Sequence, residues 1–331
     1  MKTLTILFTL LLTTGAGAQN KYTTFELGPN ARFGTVSAIN DSGQVLGWWP
    51  TNGEAYVISP GDVWTKNIIK TTGNPLSMNN AATIIGIEAP NNAPFYKPWE
   101  QPVQEGWERA IAINTAGDLA GIALLAPHRG QQGAFLVDLQ AGTETILPFP
   151  HDKYPNSWVT VNGRMGLNNL NQIVGSWKNY STPYSGFFYD GKSKKLNNTF
   201  NMPGAIQTWP VSINDNREVV GDWFDANGVE HGFYWNANAG FSDVDVAGDT
   251  AMGLIGINNQ SAIPGVWGDA NTPPKYHYVT IVNGKPTASI NVPQSIAGST
   301  VGVAINNVGQ VVGEYQTKAG VWRGFVYTPS K

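Results

Sequence analysis

The chain has 331 residues, a formal net charge of −3, only 13% charged residues and no cysteine. Without a basic run, the composition argues against a nucleic-acid partner or an anionic membrane surface, and without cysteine no disulfide staples the fold, so packing must hold it. Glycine (38), proline (21) and tryptophan (12) are abundant, the profile of a chain made of strands and tight turns.

In chain order, Lys2, an apolar run from Leu4 to Leu12 and the small triplet Ala16-Gly17-Ala18 read as a signal peptide over residues 1–18. That run is about half the length a spanning helix needs. No later segment is long and apolar enough to insert in a membrane. Residues 19–331 are therefore expected as a single exported domain, secreted or periplasmic and monomeric.

Tyr22 to Pro29 reads as one strand and a turn. Seven copies of one motif follow, beginning AINDSGQVLGWW at Ala38 and ending AINNVGQVVGEY at Ala304. Their key asparagines are Asn40, Asn79, Asn114, Asn168, Asn214, Asn258 and Asn306, spaced by 39, 35, 54, 46, 44 and 48 residues. The mean of about 44 is the size of a four-stranded propeller blade. Each copy predicts a strand ending at the asparagine, a turn rich in Asn, Asp and Gly, and a second strand. A third strand is read at Gly186 to Tyr189, Gly232 to Trp235 and Gly324 to Thr328, and a fourth at Phe241 to Val246 and Thr287 to Val292. The last copy stops after its third strand, so the Tyr22 strand is read as its fourth. The expected fold is all-β, a seven-bladed β-propeller whose ring is closed by the N-terminal strand, which leaves no long open edge.

These residues, INNxGQVVGxY followed by xGF and a fourth strand, resemble the HAF family of extracellular repeats over nearly all of the mature chain. The resemblance implies export and repeat class but names no reaction. The histidine of a family-like HGF survives at His231, while Glu54, Gly133, Ser185, Tyr276 and Arg323 are assigned to its place in other copies.

No nucleophile elbow, zinc pair, phosphate loop or dinucleotide fingerprint is present, and His128, His151, His231 and His277 fall at unlike repeat positions. Calcium in the Asn/Asp turns competes with the plainer reading that Asx side chains bond their own backbone. No metal or cofactor is expected. Mid-strand glycines such as Gly47, Gly175, Gly221 and Gly313 are read as points of close backbone approach, and the aromatics two residues on, Trp49, Trp177, Trp223, Trp267 and Tyr315, as packing between blades.

The copies differ just ahead of the innermost strands, where Phe33, Trp107, Arg109, Trp158, Arg164 and Trp209 stand. Aromatics beside guanidinium groups on converging loops suit sugar stacking or a protein anchor. The same residues could instead cap the blade interfaces. A second candidate surface is the excursion from Pro148 to Asn162. The favoured function is a non-catalytic module that binds a glycan or a protein through this face. The competing one is a polysaccharide hydrolase or lyase with acids and bases from several blades.

Overall fold

The computed structural model describes residues 21–330 except 28–34, 50–53, 60–67, 70–72, 89–92, 98–106, 125–131, 151–157, 160–164, 180–181, 245–248, 270–275 and 283–284. The signal-peptide assignment, Phe33, Arg164, His128 and His151 lie outside the described residues. Among the described residues there is no helix, and the strands form seven separate sheets. The fold is an all-β propeller.

From the inner strand outward, the first sheet holds Val36–Ile39, Val45–Trp49, Glu54–Ile58 and Ile68–Ile69, and the second Gly73–Met78, Ile84–Glu88 and Ala93–Lys97. The third holds Trp107–Ile113, Leu119–Leu124, Gln132–Asp138 and Thr143–Ile146. In the fourth, the inner position is split between Trp158–Val159 and Gly166–Leu167, both paired with Gln172–Lys178, which is followed by Ser185–Asp190 and Lys195–Asn197. The fifth holds Gln207–Ile213, Val219–Phe224, Glu230–Asn236 and Gly240–Val244, and the sixth Asp249–Leu254, Ala262–Asp269, Tyr276–Val282 and Lys285–Ser289. The seventh holds Val301–Ile305, Val311–Gln316 and Trp322–Thr328, with Lys21–Glu26 paired antiparallel outside them, Tyr22 opposite Tyr327 and Phe25 opposite Gly324.

Two expectations are corrected here. The 148–162 excursion is not all connecting loop, because Trp158 and Val159 pair with Lys178 and Trp177 as part of the fourth sheet's inner strand. In the sixth sheet the residue opposite Trp267 is His277, not Tyr276, just as His231 lies opposite Trp223 in the fifth. The sequence alignment slipped by one because Tyr278 stands where other copies have the glycine of xGF.

Local chemistry explains the hairpins. In every copy the asparagine Oδ1 accepts the backbone N–H four residues on, at Gln44, Thr83, Asp118, Gln172, Glu218, Ala262 and Gln310, over 2.8–3.0 Å. That bond closes a turn whose fourth residue is left-handed, and four of these are not glycine: Ala82 (φ 58°), Asn171 (55°), Arg217 (63°) and Ser261 (58°). The mid-strand glycine serves a second purpose. Gly121, Gly175, Gly221 and Gly313 face Phe135, Phe187, Phe233 and Phe325 across the strand pair. A Cβ on Gly313 would sit 1.9 Å from the Val301 carbonyl oxygen and 2.7 Å from the Phe325 ring. The ring thus covers the strand where a side chain would block it.

Among the described residues the core is a set of seven apolar clusters, each spanning two neighbouring sheets. One joins the seventh sheet to the first, with Val312 and Val326 packed on Val45 and Ile58. Of the aromatics expected between sheets, Trp177 and Tyr315 are buried, while Trp223 and Trp267 are half-buried.

Candidate functional site

The inner strand of each sheet is its edge, so its unpaired backbone groups face the central channel. At the end where these strands reach the signature asparagines, the channel holds a cavity of about 320 Å³ lined by strand ends and turns from all seven sheets. The residue two before each asparagine is small (Ala38, Ser77, Ala112, Gly166, Ser212, Gly256, Ala304); a Cβ on Gly166 would lie 2.9 Å from the Ile213 nitrogen of the fifth sheet, so a small residue here lets neighbouring inner strands approach.

The asparagines are buried and joined in a circle. Nδ2 of Asn40 donates to the Asn79 carbonyl (3.4 Å), Asn79 to Asn114 (3.2 Å), Asn114 to Asn168 (3.4 Å) and Asn168 to Asn214 (2.9 Å). Asn214 donates to Asn258 (2.9 Å), Asn258 to Asn306 (3.0 Å) and Asn306 back to Asn40 (2.9 Å). The carboxylates at this end are engaged in the same joinery. Asp215 accepts from the Asn169 N–H and from the Asn169 and Asn259 side-chain amides. Glu218 accepts from Tyr234 Oη (2.6 Å), Ser261 Oγ of the sixth sheet (2.6 Å) and Asn214 Nδ2. Burial alone would raise the Glu218 carboxyl, but these donors, with Asn216, hold it below the ordinary glutamate value.

Two further acids, unmarked in the sequence reading, follow the mid-strand glycine and reach the next sheet. Asp222 Oδ1 accepts the Leu254 N–H at 2.7 Å. Glu314, fully buried, accepts the N–H groups of Thr35 and Val36 (both 2.6 Å) and the Thr35 hydroxyl (2.9 Å), which ties the seventh sheet to the first. The sequence signal was the acid in GDW and GEY. Its partner is backbone, which no side-chain pattern announces.

At the opposite end of the inner strands lie Trp107, Arg109, Trp158 and Trp209, four of the residues read from sequence as a binding face. They do not all stand on loops. Trp107 begins the third sheet's inner strand, Trp158 lies in the fourth's, and Trp209 lies inside the fifth's, opposite Asp222. Arg109 occupies the same strand position in the third sheet, opposite Ile122, and its Nε is buried with no hydrogen-bond partner among the described residues.

Trp209 is the centre of the best-defined cluster. Its ring lies 4.6 Å from Phe224 and 6.0 Å, edge-on, from Tyr184 of the fourth sheet. The Lys178 ammonium sits 4.4 Å over the Tyr184 ring. All four side chains are half-buried, and the indole Nε1 of Trp209 is itself buried with no hydrogen-bond partner among the described residues. Ile206, 44% exposed, adjoins them through its N–H bond to the Phe224 carbonyl (2.9 Å). Nearby Trp223 stacks on His231 (4.6 Å, 24°), as Trp267 does on His277 (4.3 Å, 22°). Sequence reasoning found Trp209 but missed Tyr184, Phe224 and Lys178, which enter through strand ends and a neighbouring sheet.

Among the described residues, no group of three or more His, Cys, Asp or Glu is placed to hold a metal ion, and no helix is long and apolar enough to cross a membrane.

No protein-family model and no curated protein matches the chain. Its fold is similar to the oligogalacturonate lyase of Vibrio parahaemolyticus (TM-score 0.58, 9% identity, 95% of this chain and 98% of that one). It is also similar to the BP39L lectin of Burkholderia pseudomallei (0.51, 11%, 91% and 98%). Similarity to Porphyromonas gingivalis dipeptidyl peptidase 4 (0.56, 9%) covers 86% of this chain but only 50% of that enzyme, so the chain spans half the length of that protein. At these identities the likeness is one of fold.

Proposed function

We propose that the protein is an exported, non-catalytic binding module that recognises a glycan through the face carrying Trp209. The observation that carries this reading is the half-buried cluster of Trp209, Tyr184 and Phe224, with the Lys178 ammonium at its edge. Flat aromatic surface with an ammonium group at its margin suits the C–H faces and hydroxyls of a sugar ring. The carboxylates at the other end of the channel accept two or three hydrogen bonds each from the scaffold, which favours a structural role for them over acid–base chemistry.

Seven sheets, seven linked asparagines and the pairing of Lys21–Glu26 with Trp322–Thr328 support reading the ring as seven blades closed by the N-terminal strand. The Leu4–Leu12 segment and the HAF-like repeats support export to the periplasm or the medium. Trp107, Arg109 and Trp158, at the same end of neighbouring inner strands, are proposed as extensions of the same surface.

A glycan array probed with purified residues 19–331 tests the reading. Saturable binding to one glycan class is expected. Binding to no glycan, or accumulation of new reducing ends or unsaturated products from polysaccharides, would overturn it.

A further inference from the structure

We propose that the signature asparagines and the residues that follow them form two stacked amide belts that latch the ring shut, and that one link of the second belt is unmade, at Thr115.

The first belt is the circle of seven Nδ2–H to carbonyl bonds. Every donor points to the next sheet in chain order, and the seventh points to the first. The second Nδ2 hydrogen stays in its own turn in five copies, on Gln44, Asp118, Gln172, Glu218 or Gln310. Oδ1 meanwhile accepts the turn's backbone N–H. Only asparagine meets these demands. Aspartate keeps the acceptor and loses the donor, serine and threonine offer a single hydroxyl, and glutamine is one carbon too long. The residue that defines the repeat is thereby explained by closure between sheets, with no ligand invoked.

The second belt lies one residue further on. The N–H of Asp41 donates to Asn80 Oδ1 (2.9 Å), Thr115 to Asn169 (2.8 Å) and Asn169 to Asp215 (2.8 Å). Asp215 donates to Asn259 (2.9 Å), Asn259 to Asn307 (3.0 Å) and Asn307 to Asp41 (2.7 Å). The missing link is from the Asn80 N–H to the third sheet, where Thr115 offers no carbonyl-type oxygen. Six positions carry Asp or Asn and the seventh carries Thr, so the gap follows from side-chain chemistry alone.

The test is a pair of substitutions read by amide hydrogen exchange and melting. Thr115→Asn should supply the absent acceptor, slowing exchange at the Asn80 amide by about fivefold and raising Tm by roughly 2 °C. Asn259→Thr should copy the natural gap between the fifth and sixth sheets, speeding exchange at the Asp215 amide by a similar factor and lowering Tm. Unchanged exchange at Asn80 in the first variant, or at Asp215 in the second, would overturn the proposal.

Discussion

The two ends of the channel are built on opposite rules. At the asparagine end, the same side chain makes the same two bonds in all seven copies, and the Asp215 and Glu218 carboxylates are held by donors of the scaffold. At the Trp209 end the copies diverge, and buried donors on Arg109, Trp209 and Trp223 have no hydrogen-bond partner among the described residues. A ring needs identical joints but only one recognition surface. Repetition therefore marks joinery here, and divergence marks the region free to carry function.

The comparison breaks first where joinery is tightest. Gly313→Val would drive a side chain into the Val301 carbonyl and the Phe325 ring, and should cost at least about 3 kcal/mol or abolish folding, measured by urea denaturation. Asn214→Ala removes the link to Asn258 and the cap on Glu218 while leaving buried groups unpaired. A loss of about 2 kcal/mol is expected, with glycan affinity unchanged.

Acid should act on the joinery end. Glu218 titrates below the ordinary value of 4.5 in the folded chain, so its ionised form stabilises the fold above that value, and this contribution is lost as pH falls through its folded value. A melting series from pH 6 downward should show the decline, and Glu218→Gln should flatten it. The smallest effect is a gain. Ala82 holds a left-handed turn position (φ 58°), so Ala82→Gly should stabilise by up to about 1 kcal/mol in the same urea assay.

Much of the joinery was legible in the sequence. The spacing of the asparagines located the hairpins, and the glycine two residues before Trp49, Trp177 or Tyr315 marked a crowded strand. What the sequence concealed were contacts whose partner is backbone or belongs to another copy. Glu314 meets Thr35 and Val36, which lie 279 and 278 residues away, and no pattern links an acid to a backbone N–H at that distance. Trp209 was legible as one of the aromatics standing where the copies differ, just ahead of the innermost strand, but Tyr184 became its neighbour only when the fourth and fifth sheets packed together. His277 was misplaced because Tyr278 replaced the glycine that anchors the alignment.

The most direct measurement compares Trp209→Ala with Asn214→Ala for both melting temperature and affinity toward the glycan selected on the array. Trp209→Ala should weaken binding by about 1–3 kcal/mol with the fold retained, while Asn214→Ala should lower the melting temperature and leave affinity intact. If Trp209→Ala instead lowers the melting temperature and leaves affinity unchanged, Trp209 is a cap between sheets and the proposed binding face is wrong.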